Sequence, residues 1–184
     1  MGRYAVIFPG IGYHADKPLL YYSGKLAASM GYEVIRISYP ACEVNLKQAT
    51  SGQIHEFVRE CLSVTEKTLD ELATAENEFL FISKSIGTAV AAAYAAKGEY
   101  TVRHVFFTPL AETFDYVKDG SGIAFNGTKD NWADCDTVCS LCRDHNIPVT
   151  TIDNANHSLE TGVVSKDTET LCQVLKSVEE FVGN

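Results

Sequence analysis

Ser85 stands where an apolar run stops and a run of small residues begins. Phe79-Leu80-Phe81-Ile82 reads as a buried strand, Ser83-Lys84-Ser85-Ile86-Gly87 as a tight turn, and Thr88 to Lys97 as an alanine-rich helix closed by Gly98. A turn this sharp needs small residues two before and two after its centre, because the new helix returns close against neighbouring strands. Ser83 and Gly87 meet that need. The turn lifts the Ser85 hydroxyl out of the sheet, where it can act as a nucleophile. The Ile86 amide, at the N-terminus of the new helix, can then donate to an oxyanion, and the helix dipole favours negative charge there. A serine-capped βα turn has a similar composition, so the chemistry depends on what else the chain brings to this end of the sheet.

A serine hydroxyl attacks poorly unless a neighbouring base takes its proton, and a neutral imidazole is the side chain suited to that task near neutral pH. His157 lies in the loop Asp153-Asn154-Ala155-Asn156-His157-Ser158-Leu159-Glu160, just after a strand. An acid that holds the imidazole tautomer is available in Gly127-Thr128-Lys129-Asp130-Asn131-Trp132, after the preceding strand. Asp134, Asp136 and Asp153 are rivals to Asp130, since aspartate is also a common helix cap. Of the other histidines, His55 is read as solvated on a long helix, His104 as structural within a strand, and His145 as a partner for a helix C-terminus. His14 lies near the loop after the first strand and could touch a substrate. Tyr13, Phe114 and Trp132 fall on loops near the expected site mouth, as pocket walls or as packing.

The elements that must position these residues alternate strictly. Strands are expected at Ala5 to Phe8, Glu33 to Tyr39, Glu78 to Ile82, Val102 to Thr108, Gly122 to Asn126 and Pro148 to Ile152, with helices between and after them. The longest helix, about Ser51 to Ala75, opens on Thr50 and Gln53 placed as a capping box and buries a stripe through Ile54, Phe57, Val58, Cys61, Leu62, Leu69 and Leu72. The last runs from a Ser165 cap to Val182, with Leu171, Val174, Leu175, Val178 and Phe181 facing inward. Short apolar strands without strict alternation imply that both sheet faces are covered. The expected fold is α/β, a doubly wound three-layer αβα sandwich on a mainly parallel six-stranded sheet. In such folds chemistry gathers beyond the carboxyl ends of the strands, where Ser85, Asp130 and His157 all fall.

A serine after strand three, an acid after strand five and a histidine after strand six is the chain order of α/β-hydrolases. Through Ser83-Lys84-Ser85-Ile86-Gly87, Gly127-Thr128-Lys129-Asp130 and Asn156-His157-Ser158-Leu159, the chain resembles that superfamily, most of all its small, cap-less, dienelactone-hydrolase-like members. The resemblance implies a sheet in the order 2-1-3-4-5-6 and the catalytic residues Ser85, Asp130 and His157. Asp130 is favoured because a turn residue shortly past the strand best matches the family's acid. It also implies an oxyanion loop at Pro9-Gly10-Ile11-Gly12-Tyr13, with the Ile11 amide as second donor beside Ile86. Gly12, Tyr13 and Trp132 are the expected substrate-binding residues. Many relatives carry His-Gly in that loop and glycine in place of Ser83. Larger relatives insert a lid between strands four and five; here Pro109 to Ser121 is short, so an open site is expected, or one covered by a partner chain. The implied activity is hydrolysis of carboxylic esters or thioesters without a cofactor, on a small-molecule acyl substrate. Amidase or peptidase chemistry lies within reach of the same residues, and a non-catalytic binding or scaffold protein can share the fold.

Composition narrows the rest. No Pro-, Gly- or Ser-rich stretch divides the 184 residues, which are read as one domain. A balance of 15 basic against 24 acidic residues, formal charge -9, without a Lys/Arg cluster, argues against nucleic acid and against an anionic membrane surface. The apolar run Ala5 to Phe8 is too short for a signal peptide or a membrane span. Cys135, Cys139 and Cys142 match C-x3-C-x2-C, a spacing that also holds iron-sulfur clusters. Together with Val138, however, they follow the i, i+3, i+4, i+7 pattern of a buried helix face. No metal site is expected, and all six cysteines are read as thiols in a cytoplasmic protein. Gly10-Ile11-Gly12 lacks the following glycine of a dinucleotide fingerprint. A homo-oligomer is the protein partner left open.

Overall fold

The computed structural model describes residues 1–98 and 100–183. Six strands, β1 (Arg3–Phe8), β2 (Glu33–Arg36), β3 (Glu78–Lys84), β4 (Thr101–Phe107), β5 (Gly122–Gly127) and β6 (Val149–Ile152), form one sheet in the order β2-β1-β3-β4-β5-β6. Every pairing is parallel, so the expected topology is present and the sheet is wholly rather than mainly parallel. Five helices flank it: α1 (Pro18–Ser29), α2 (Ser51–Leu69), α3 (Ile86–Ala95), α4 (Cys135–Asp144) and α5 (Val164–Gly183).

Side chains of a strand alternate between faces, and each face here has its own apolar layer. Val6, Phe8, Phe79, Phe81 and Phe106 pack with Ile54, Phe57, Val58, Cys61, Val90, Tyr94, Val138 and Cys142 under α2, α3 and α4. Ala5, Ile7, Leu80, Ile82, Val105 and Phe107 pack with Leu19, Leu20, Val174, Val178 and Val182 under α1 and α5. The two-faced burial is why the strands read as continuous apolar runs. Every residue of α3 is buried, and its alanines and glycine let the helix lie close on the sheet. His104 sits 2 % exposed within β4, its ring stacked on Phe106 at 4.7 Å, and burial lowers its pKa to about 3.

Several boundaries differ from the sequence reading. β2 stops at Arg36, three residues short of Tyr39. Ile37 still donates to the Ile7 carbonyl, but the register then reaches Pro9, which has no N–H. α2 has its capping box but ends at Leu69, after which Asn77 takes the Leu72 carbonyl and the Tyr94 hydroxyl donates to Asp70. α5 starts at Val164, ahead of the expected Ser165 cap, with Asp167 in its first turn accepting the Thr161 amide and hydroxyl. On α4, Val138 and Cys142 are buried, whereas Cys135 and Cys139 are only half-buried. All six cysteines are unpaired, and no cluster of metal-ligating side chains is found among the described residues.

Candidate active site

Ser85 is held at φ 56°, ψ −125°, between the last residue of β3 and the first of α3. Such a conformation is costly for a residue with a Cβ and persists only where surroundings enforce it. Here the Ser85 amide donates to the Phe107 carbonyl at 3.0 Å, and the Ser85 carbonyl accepts from the Thr88 amide at 2.9 Å and its hydroxyl at 2.6 Å. Gly87 explains how tightly the helix returns: a Cβ there would lie 2.4 Å from the Phe8 carbonyl oxygen and 2.5 Å from that of Pro9. The loop after β1 crosses the same point, since a Cβ on Gly10 would lie 3.2 Å from that of Ser85. The Ile86 amide, the first of α3, has no acceptor within the helix, and the next amide along the crossing loop after Gly10 is that of Ile11.

The loops after β5 and β6 are joined before either reaches the serine. Thr128 donates to the Ile152 carbonyl, Lys129 to that of Ala155, and the Thr128 hydroxyl accepts from the Asn154 amide. Gly127 permits the contact; a Cβ there would meet the Ala155 oxygen at 2.2 Å. Within the second loop the Asn156 side chain accepts from the amides of Ser158 and Glu160, which tightens the turn that carries His157.

Ser85, His157 and Asp130 come together in one hydrogen-bonded line. His157 Nε2 lies 2.8 Å from Ser85 Oγ, and Nδ1 lies 2.7 Å from Asp130 Oδ2. The Asp130 carboxyl is fully buried, and its Oδ1 accepts from the Trp132 and Ala133 amides, both at 2.9 Å. Burial alone would raise this carboxyl, but His157 and the two amides hold it below the usual aspartate value. His157 is lowered from the ordinary histidine value, first by burial and then by the charges of Lys84 and Lys47, against the opposing pull of Asp130. An ionised carboxylate only accepts hydrogen bonds, so Nδ1 carries the proton and Nε2 presents its lone pair to the hydroxyl. This arrangement can draw a proton from Ser85 as a bond forms at its oxygen. The rival aspartates are engaged elsewhere or face solvent. Asp134 caps α4 by accepting from Thr137, and Asp136 and Asp153 are exposed.

The remaining candidates divide. The Trp132 ring lies 4.8 Å from the His157 ring and borders the site. Gly12 is exposed, with no atom near its missing Cβ, and Ile11 is 46 % exposed. A groove of about 430 Å³ runs from Pro9, Gly10 and Ile11 past His14 to Arg36 and Tyr39. Tyr13 is not on that groove: it is buried, and its hydroxyl accepts from the Leu19 amide. Phe114 is core packing beside His145. His55 is paired rather than simply solvated, with Asp115 at 2.9 Å and the Ser51 carbonyl at 2.8 Å. His145 caps α4 and pairs with Asp119. Between β4 and β5 the described chain forms a five-residue 3₁₀ turn, Ala111–Asp115, where a lid would be inserted. Lys84 escaped the sequence reading. It is 1 % exposed, its ammonium donates to the Thr108 hydroxyl, and burial brings its pKa down to about 7. The available signal was a charge closing an otherwise apolar strand.

No protein-family model matches the chain, and no curated protein sequence matches it. Solved structures do. Est1E from Butyrivibrio proteoclasticus, in a structure with ferulic acid bound, superposes with a TM-score of 0.71 at 12% identity, over 99% of this chain and 88% of that one. The chain has the α/β-hydrolase fold. An α/β serine hydrolase homologue from Coxiella burnetii gives a TM-score of 0.65 at 14% identity, over 96% of this chain and 84% of that one. A lid-less α/β serine hydrolase from Xanthomonas campestris gives 0.62 at 13% identity, over 95% and 81%. At these identities the likeness is one of fold, and in this chain Ser85, Asp130 and His157 follow β3, β5 and β6.

Proposed function

We propose that the protein is a serine hydrolase that cleaves carboxylic ester or thioester bonds through an acyl-enzyme at Ser85. The observation that carries this reading is the unbroken line from Ser85 Oγ through His157 to the buried Asp130, with the serine held in a strained strand-to-helix turn. In the first half-reaction Ser85 Oγ attacks the acyl carbon while His157 Nε2 takes its proton. Asp130 stabilises the imidazolium. The oxyanion forms against the amides of Ile86 and Ile11, where the N-terminus of α3 favours negative charge. His157 then gives the proton to the departing alcohol or thiol. A water, deprotonated by the same nitrogen, attacks the acyl-serine and releases the acid, restoring Ser85. The open groove beside Ile11 supports a small acyl substrate, with Gly12, next to Ile11 in the chain, and Trp132, beside the His157 ring, as the other substrate-binding residues. The reading includes a cytoplasmic setting, which six unpaired cysteines support; among the described residues no helix is long and apolar enough to cross a membrane.

The test is turnover of p-nitrophenyl acetate and butyrate and of the matching acyl thioesters. An initial burst of about one equivalent, absent from Ser85→Ala, is the expected result. Equal turnover by wild type and Ser85→Ala would overturn the reading.

A further inference from the structure

The site holds two buried charged groups, and the mechanism above uses only one. Asp130 orients His157; Lys84, the residue before the nucleophile, has no role in the chemistry. A lysine ammonium is among the most expensive groups to bury, and it normally reaches solvent along its own stem. This one does not. It has three protons to place, and among the described residues it finds one hydrogen-bond acceptor, Thr108 Oγ1, and one ring face, Tyr13 at 5.2 Å. Methionine or leucine would fill the end of β3 without that cost. The partner is also unusual. Thr108 is a β-branched residue at φ 44°, and its hydroxyl donates to the backbone carbonyl of His157 at 3.2 Å.

We propose that Lys84 is a positioning residue for the catalytic histidine, its buried ammonium gripping Thr108 while Thr108 holds the backbone of His157. The inference rests on the hydrolase reading for its meaning. The chain of contacts runs from the residue beside the nucleophile, across to the end of β4, and on to the loop that carries the base. It ties together two parts of the site that are 72 positions apart in sequence. The ammonium also carries charge. His157 faces Asp130 from the loop after β5, Lys84 from β3 and Lys47 from the turn after β2. Lys84 in turn faces Asp130, Lys47, Glu160 from the loop after β6, and the Tyr13 ring from the loop after β1. A cation near the imidazole disfavours the imidazolium, so Lys84 extends to lower pH the range in which His157 is neutral and able to take the serine proton.

The experiment is the pH dependence of labelling by a fluorophosphonate: attack of Ser85 Oγ on its phosphorus, with loss of fluoride, requires neutral His157 and no knowledge of the substrate. Lys84→Met removes the cation and the grip together. The acid limb of the labelling rate should move up by about one pH unit, the scale of a single charge acting across several ångströms at an effective dielectric near 20. The plateau should fall about tenfold as the base loses its alignment. A purely structural lysine would change thermal stability and leave the limb in place. Should Lys84→Met fail to fold, Thr108→Val carries the test: loss of the hydroxyl should move the limb upward, and Thr108→Ser should bring it back. An unmoved limb in a folded Lys84→Met, or one shared limb for the valine and serine variants, overturns the proposal. NMR titration of the His157 ring separates the two readings. A shifted His157 with Ser85 unlabelled in wild type ends the hydrolase reading alone; a labelled Ser85 with unshifted His157 ends the Lys84 proposal alone.

Discussion

Asp130→Asn isolates the part of the mechanism that geometry defines most sharply. Oδ1 accepts the amides of Trp132 and Ala133, so an asparagine that keeps those bonds places its oxygen there and turns its Nδ2–H₂ towards His157. Nδ1, now facing a donor, must accept, which moves the imidazole proton to Nε2. Nε2 then faces Ser85 Oγ across the same 2.8 Å with a proton where the lone pair was needed. The fold survives because both backbone bonds survive. The base is lost through its tautomer, and the cost expected from this mechanism is about 10³ to 10⁴ in rate, or about 4 to 5.5 kcal/mol of barrier. The assay is the second-order rate of fluorophosphonate labelling and of ester turnover at pH 7 to 8, with circular dichroism to confirm folding. A loss below tenfold, or a loss of this size in Asp153→Asn with Asp130→Asn unaffected, would refute the reasoning.

Three further outcomes follow from particular contacts. Gly87→Ala should cost about 2 to 4 kcal/mol in urea unfolding, because its Cβ would press on the carbonyls of Phe8 and Pro9, which are backbone and cannot rotate aside; a change under about 0.5 kcal/mol would contradict that. His104 is neutral in the fold down to about pH 3, while the unfolded chain takes up its proton below about 6.5, so its contribution to stability is full above that value and is lost as pH falls. Between pH 7 and 4.5 wild type should therefore lose about 2 to 3 kcal/mol more than His104→Phe, and parallel pH profiles would refute the assignment. Because burial and Lys84 lower His157, ester turnover (kcat/KM) should rise on the acid side with a midpoint below the ordinary histidine value; a midpoint above 7 would show that the imidazole is not so placed.

The features legible in the sequence were those set by short stretches of chain. The strand-turn-helix around Ser85 depends on five neighbouring residues, and the capping box at Thr50 and Gln53 on four. The strand order and the placement of Ser85, Asp130 and His157 followed from family chain order, which carries topology that no local pattern holds. What was missed depends on partners far along the chain. β2 ends early because of a proline on its neighbour, and past the end of α2 the Asp70 side chain and the Leu72 carbonyl are taken by Tyr94 and Asn77. His55 finds Asp115 across 60 positions. Tyr13, expected at the site, turns inward because its hydroxyl takes the Leu19 amide and its ring covers Lys84. Burial of Lys84 arises where the ends of β3 and β4 meet the loop after β1, which composition alone cannot reveal.

The central claim is that Ser85 is the nucleophile, and the most direct test is mass spectrometry of the protein after treatment with a fluorophosphonate. Wild type should gain the mass of one phosphonyl group, mapped to the peptide containing Ser85. Ser85→Ala, which keeps the Cβ and the backbone of the turn, should gain none. A wild-type protein that stays unlabelled, or an adduct that persists on another residue in Ser85→Ala, would contradict the account.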